Sequence, residues 1–415
     1  MNGPVGRAQA PSKASRAEGP DQTSGGMQGR DRLEKVLSPI LVLTFIFFLH
    51  FLGRQLAGPL LPVMETDLGF SHAVSGLFIL FLGIGLFVSQ LGAAVLSALL
   101  GYRRCIVLSL WGTAAAMAAV GWSGSVWTLS IAFFGVGVTS GLYAPSGIAL
   151  ISVLLHPQDW GKAMGIHEVA PNLALILAPF FATATLALLS WRWAYLGLSG
   201  VLAVMGAVYA KRGVDAEFRA TFPDIQRIKA TAGHPSFWVL GGLFSLGVGV
   251  ETGVYSVLPL FLVHERGYDL AAANQLLGLS RIPGLIMVLV SGWITDRLGP
   301  KATLQLAMAL TGVTVILLGV GPDGTVIPFV FLQAGASACL FPPILSAASG
   351  ISTPENRALT LSLSLAIAPL AGGGILPAGI AFAGELGSFG LGLAGTGVLV
   401  LAGTGLVRLL RAPAG

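Results

Sequence analysis

Four ionisable residues stand inside stretches that are otherwise apolar enough to cross lipid: Arg54, Glu168, Glu251 and Arg281. Holding one such charge at a bilayer centre costs at least about 2.5–3.5 kcal/mol, so each marks a place where function outweighs insertion. The two arginines suit an anion. A guanidinium stays charged at any working pH and offers a planar fork that grips a carboxylate or phosphate through two parallel hydrogen bonds. The two glutamates suit protons, because burial favours the neutral acid and a nearby guanidinium favours the charged one. Glu251 lies deep and is the better carrier. Glu168, in Gly165-Ile-His167-Glu168-Val-Ala-Pro-Asn172, lies about one and a half turns from the end of its stretch, where a gate or a packing pair is equally open. His167 and Asn172 join it as candidates for lining a pore. His50 and Gln90 divide evenly between pore lining and hydrogen bonding from helix to helix.

The elements that carry these residues follow from composition. Of 415 residues, 54% are hydrophobic and 10% charged, with a mean hydropathy of +0.82. An ordinary soluble domain carries about 25% charged residues, so this is a polytopic membrane protein. A span needs about 20 apolar residues, and the chain has room for about twelve. The 57 glycines suit close helix packing in lipid. Cys105 and Cys339 suggest neither a disulfide framework nor a metal site. P-loop, zinc-ligand spacing and nucleophile elbow are all lacking, and Gly135-Val-Gly-Val-Thr-Ser-Gly141 is a packing pattern within an apolar run. No cofactor is expected. An enzyme is not expected either, since nucleophile, base and metal ligands converge at no one depth.

Spans are expected at 38–62, 73–99, 104–121, 126–154, 163–189, 193–210, 235–263, 270–295, 302–321, 325–350, 358–382 and 387–408. Residues 1–36 read as a disordered tail without a cleavable signal. With the tail in the cytoplasm, all of the 23 basic residues except Arg54, Arg192, Arg266 and Arg281 fall in the tail, the cytoplasmic loops or the C-terminus. The positive-inside rule therefore supports twelve spans with both termini cytoplasmic, and it accounts for the net charge of +5 without nucleic acid.

The chain repeats itself. An offset of 198 residues pairs Gly101 with Gly299, Gly137 with Gly335, Leu142 with Leu340, Tyr143 with Phe341, Pro145 with Pro343, Pro171 with Pro369 and Pro179 with Pro377. The expected fold is all-α, with twelve transmembrane helices in two pseudo-symmetric six-helix halves at residues 37–212 and 235–411, joined by a cytoplasmic linker at 213–234. Halves related in this way place a substrate near the midplane between them. An offset of 197 superposes Leu61-Pro62 on Leu258-Pro259 and sets Arg54 opposite Glu251, so these two are expected to pair when the cavity holds no substrate.

Between spans 8 and 9 stands a charged island, Ser291-Gly292-Trp-Ile-Thr-Asp296-Arg297-Leu-Gly299-Pro-Lys301. Its pattern Gly292-x3-Asp296-Arg297-x-Gly299-x-Lys301 resembles the loop signature of the major facilitator superfamily of secondary transporters, and with the repeat the resemblance covers roughly residues 37–410. It implies a gating loop, in which Asp296 meets the start of span 5 near Trp160-Gly161-Lys162. The first-half copy departs from the signature, with Ala94 and Ala98 at its glycine and aspartate positions. Span 4 lacks the arginine often present in drug/proton antiporters. Arg54, eight residues before Pro62, is similar to the span 1 arginine of anion:cation symporters, and Arg281, in Ser280-Arg281-Ile-Pro283, resembles the span 8 arginine of monocarboxylate and oxalate carriers.

The reading is a secondary active transporter of small organic anions, monocarboxylate-like and proton-coupled, working by alternating access. Its expected partners are the anion, protons and the lipid of a plasma or bacterial inner membrane, and it is expected to be a monomer. A proton-driven exporter of drugs or amphipathic metabolites is the alternative, separated by whether the two arginines are needed. A transport-inactive receptor or scaffold is a further alternative, favoured by the degraded first loop and the long basic tail.

Overall fold

The computed structural model of the protein describes residues 3, 22–155, 159–215, 224–350 and 357–410, with the backbone alone at 22–36, 225, 349–350 and 357–358. Among the described residues, apolar runs set twelve helices long enough to cross a membrane: α1 (Leu37–Leu68), α2 (His72–Leu100), α3 (Tyr102–Trp122), α4 (Val126–Leu154), α5 (Trp160–Leu188), α6 (Trp191–Arg212), α7 (Pro235–His264), α8 (Leu270–Leu298), α9 (Pro300–Val320), α10 (Asp323–Ala348), α11 (Leu359–Glu385) and α12 (Phe389–Arg408). No strand occurs among the described residues. The helices follow the expected spans. α1 runs past Pro62 because Gly69, at φ 66, is the first residue able to take the left-handed cap, and its N–H reaches the Glu65 carbonyl.

Most of the tail expected to be disordered, and Arg219, Arg357 and Arg411 of the basic set, lie outside the described residues or side chains. From Gln22 onward the backbone is already helical, in keeping with the helix-forming run Arg30-Asp-Arg-Leu-Glu-Lys35. Within the linker, a short helix at Ile225–Ala232 is capped by Asp224, whose carboxylate accepts the N–H groups of Gln226 and Arg227.

The internal repeat is a structural one. Gly101 and Gly299 take the same backbone conformation, φ 82 and ψ 159 against φ 81 and ψ 158. Arg103 and Lys301, also 198 apart, each reach a carbonyl beyond or near the end of the last helix of their half, Ala210 and Leu410. At the other end of the bundle, Asp67 accepts from Trp191 and Arg192 at the start of α6, while its counterpart Glu265 accepts from Ser388 and Gly390 at the start of α12.

Several helices are broken. α1 is interrupted at Leu56, α5 at Glu168 and α8 at Ser280–Arg281, and α7 and α11 contain wide π turns at Gly249–Gly253 and Ala371–Ile375. Prolines explain the first three, since Pro59, Pro171 and Pro283 each lack the N–H that would bond four residues back. The carbonyls freed elsewhere by prolines are reused. Leu175, four residues before Pro179, accepts from the Tyr255 hydroxyl at 3.0 Å, and Cys339, four before Pro343, accepts from Ser291 at 2.7 Å.

Both described chain ends lie at one face of the bundle, the terminal face; the opposite one is the far face. The halves pack through α1 on α7, α2 on α11 and α5 on α8. These contacts run from the far face to mid-depth. A Cβ added at Gly58 would lie 2.8 Å from the Ser256 carbonyl, one at Gly76 2.9 Å from Ala381, and one at Gly83 2.8 Å from the Pro369 carbonyl. Among the described residues no comparable packing joins the halves through α3, α4, α6, α9, α10 or α12. The molecule is therefore closed at the far face and divided by a cleft at the terminal face.

Candidate functional site

The floor of that cleft is a layer of contacts between the halves. Gly58 meets Ser256, the Asn274 amide donates to the Pro59 carbonyl at 3.3 Å, and Tyr255 bonds Leu175. Gly278 admits Phe180 and the Ile176 carbonyl so closely that a Cβ there would sit 2.7 and 2.9 Å from them. About one or two turns from this layer, always on the terminal side, come Arg54 on α1, Asn172 and Glu168 on α5, Glu251 on α7 and Arg281 on α8. Four helices thus deliver the candidate residues to one depth. All four charged ones sit at or beside a helix break or π turn, and irregular backbone at membrane depth is tolerated where it borders an opening.

Arg281 is buried at 5% exposure, with Nη1 3.5 Å from Glu251 Oε1 and its guanidinium 5.1 Å from the Tyr255 ring centre. Its Nε, Nη1 and Nη2 have no hydrogen-bond partner among the described residues. Buried donors are nearly always satisfied, so three orphans on one guanidinium point to a missing acceptor. Glu251 is held from its other side by Ser337, which donates to Oε2, and the Gln333 amide donates at 2.7 Å to the Val250 carbonyl in the same π turn. Ser337 and Gln333, one turn apart on α10, escaped the sequence reading. A polar pair at that spacing on an apolar helix was the available signal.

Arg54 is half-buried and has no ion pair among the described residues; its guanidinium lies 4.5 Å from the Phe51 ring centre. The expected Arg54–Glu251 pair is corrected here. The offset of 197 assumed an unbroken α7, whereas the π turn carrying Glu251 changes the face on which it emerges, and it pairs with Arg281 of its own half.

On α5, Glu168, Asn172, Ile176 and Phe180 form a stripe at four-residue spacing. Its lower members pack on Gly278 of the other half, so its upper members face the cleft. Glu168 is exposed and Asn172 half-exposed, with the Asn172 amide turned back to the Glu168 carbonyl at 3.0 Å. His167 points elsewhere. It is fully buried, stacked on Phe47 at 4.6 Å between ring centres, and 3.2 Å from the Tyr143 hydroxyl. His50, also fully buried, bonds Ser109 of α3 at 3.2 Å. Neither histidine side chain lines an opening, because both are fully buried, although His167 Nδ1 lies 3.6 Å behind the exposed Glu168 carboxylate. Gln90 is partly exposed and has no hydrogen-bond partner among the described residues.

The loop between α8 and α9, expected to gate, is exposed. Asp296 is exposed and makes no hydrogen bond among the described residues, so the expected contact with Trp160-Gly161-Lys162 is absent from this conformation; Lys162 lies 3.6 Å from Asp159 instead. The separation of the halves at the terminal face is the reason. Arg297 stacks over Trp293 at 4.0 Å, Gly299 supplies the positive φ of the turn, Gly292 has no close neighbour, and Lys301 caps the end of α12.

Comparison with known proteins agrees with this architecture. The family model described as Major Facilitator Superfamily matches residues 43–324. The "Probable nitrate/nitrite transporter NarK2" of Mycobacterium tuberculosis is 23% identical over 298 residues, covering 68% of this chain and 72% of the relative. The "Probable sulfoacetate transporter SauU" of Cupriavidus necator is 25% identical over 367 residues, 83% of each chain. The quinolone resistance protein NorA of Staphylococcus aureus is 32% identical over a shorter stretch of 142 residues, 34% of this chain and 36% of the relative. Among solved structures, a bacterial homologue of the human lysosomal transporter Spinster, inward-facing and unoccupied, superposes with a TM-score of 0.76 at 14% identity, covering 91% of this chain and 98% of that one.

Proposed function

As the chain belongs to the Major Facilitator Superfamily, we propose that it is a secondary active transporter of small organic anions, coupled to protons, with the terminal face in the cytoplasm as the basic loops favour. The observation that carries this reading is a pair of arginines at the cleft floor, Arg281 with three nitrogens that have no hydrogen-bond partner and Arg54 with no ion pair among the described residues. NarK2 and SauU, named for nitrate/nitrite and sulfoacetate, support an anionic cargo.

In this reading a carboxylate enters from the terminal face and is taken by Arg54 and Arg281 together. It competes with Glu251 for Arg281. A carboxylate left without its guanidinium in a poorly hydrated site binds a proton, so anion and proton load together. With the anion held by the two arginines and Glu251 protonated, the net charge of the site is unchanged; the halves then rock about the floor, the Tyr255–Leu175 contact and its neighbours part, and Asp296 closes against the start of α5 at the terminal face. The experiment is uptake of radiolabelled monocarboxylates into proteoliposomes with and without an imposed pH gradient. Accumulation that follows the gradient and requires both arginines supports the proposal.

A second reading, export of drugs or amphipathic metabolites, has the likeness to NorA in its favour. Arginine-independent efflux of a cationic dye from the same vesicles would replace the first reading with this one.

A further inference from the structure

The far face holds a cluster that the transport reading does not use. Glu65 near the end of α1, His72 at the start of α2 and His264 at the end of α7 bring one carboxylate oxygen and two imidazole nitrogens within 4.8 Å of one another. His72 Nδ1 is 2.9 Å and His264 Nε2 3.3 Å from the same atom, Glu65 Oε2. The carboxylate is buried at 6% exposure, and Ser75 donates to its second oxygen, Oε1, which fixes its orientation. Phe389 flanks His72 at 4.9 Å between ring centres, and just beyond, Glu385 accepts the Ala73 N–H. Glu65 and His72 face each other across the turn between α1 and α2, but His264 comes from the other half of the chain, so no local ligand spacing announces the set.

We propose that Glu65, His72 and His264 form a binding site for a zinc-like divalent transition-metal ion that clamps the two halves together at the far face. Two imidazoles and a carboxylate are the ligand set of open zinc sites, which hold the metal by three protein groups and leave a fourth position to water. Ligand atoms on a tetrahedral zinc stand about 3.4 Å apart, so small shifts from the present separations suffice. Magnesium and calcium, which favour all-oxygen shells, do not suit it. The proton balance is simple. Each imidazole nitrogen facing the carboxylate carries the proton it shares, and each neutral ring can move that proton to its other nitrogen, leaving a lone pair for the metal. The carboxylate exchanges two hydrogen bonds for one metal bond, held in line by the Ser75 hydroxyl.

Glu65 and His72 come from the N-terminal half and His264 from the C-terminal half, so the complete ligand set exists while the far face is closed. A ligand that binds one of two conformations draws the population toward it. Metal arriving at the far face therefore holds the cleft open toward the terminal face, whatever the cargo.

The test uses untagged full-length protein in detergent, with zinc chloride as the probe and magnesium chloride as the control. Equilibrium dialysis is expected to give one zinc per chain at micromolar free metal, with a rise in melting temperature that magnesium does not reproduce. His264→Ala and His72→Ala should each weaken binding roughly tenfold or more, as loss of a ligand exceeds loss of an outer-shell partner. His264→Asn serves if the alanine variant folds poorly. His234→Ala, an exposed histidine at the terminal face, should leave both readouts unchanged. Absence of saturable binding in the wild type overturns the proposal, as does zinc binding that survives in a folded His72→Ala/His264→Ala double variant.

Discussion

Arg54 and Arg281 reach the floor of one cleft from opposite halves, and their surroundings differ. Arg281 is buried, paired with Glu251, braced by Tyr255 and backed by Ser337 through the shared carboxylate. Arg54 is half-exposed and has a phenyl ring for company. A guanidinium with a resident carboxylate can exchange that partner for another, which is what coupling needs. One without a resident partner adds net positive charge, which is what attracting an anion needs. The C-terminal half thus holds the exchangeable pair, and the N-terminal half holds the uncompensated charge.

The sharpest way to break this division is Glu251→Gln. If Glu251 carries the proton, the variant retains substrate binding and counterflow exchange but loses all accumulation driven by a pH gradient. Accumulation that persists would move the role to Glu168 or dispense with protons. Next in size, Arg281→Lys keeps the charge and loses the fork, so substrate binding should weaken roughly tenfold to a hundredfold, the worth of one or two hydrogen bonds to a charged group. Binding at the wild-type level would make Arg281 a structural partner of Glu251. A smaller effect is expected of Tyr255→Phe, which keeps the ring under Arg281 and deletes the hydroxyl bonded to Leu175. The lost hydrogen bond is worth about 1 kcal/mol, so the far-closed state should be less populated by several-fold while anion affinity in that state is unchanged. Distance measurements between spin labels on the two halves would read the population. Smallest is Asp296→Asn, at a side chain that makes no hydrogen bond or ion pair among the described residues. It should slow initial uptake, leaving binding and melting temperature unaltered, and an unchanged rate would remove Asp296 from the cycle.

Much of this was legible in the sequence. Hydropathy alone marks the twelve spans, because lipid permits few charges, and the offset of 198 shows in glycines and prolines whose backbone roles are not interchangeable, as Gly101 and Gly299 demonstrate. Pro171 and Pro283 even flag two of the breaks beside which Glu168 and Arg281 emerge. The partner of Glu251 was not legible. A π turn leaves no composition of its own, and without it a symmetry argument aims Glu251 at the wrong arginine. Nor were Ser337 and Gln333, since hydroxyl and amide residues on apolar helices usually serve packing. His167 looked like a pore residue because polarity in a span draws notice, whereas His50 divided evenly between lining a pore and bonding another helix, and it does the second. Their hydrogen bonds to Ser109 and Tyr143 place them inside the N-terminal half. The Glu65, His72 and His264 cluster depends on α7 meeting α1 and α2, which no local pattern encodes.

Binding of an organic anion at Arg54, the arginine without an ion pair, can be read from one titration. Isothermal titration of monocarboxylates and sulfonates into purified wild-type protein and into Arg54→Gln separates binding from every later step of transport. Saturable binding is expected for the wild type, with a loss of roughly a hundredfold or more in a variant that remains folded and monodisperse, the cost of removing a charged bidentate partner. Equal affinity in the two proteins would contradict binding at that arginine.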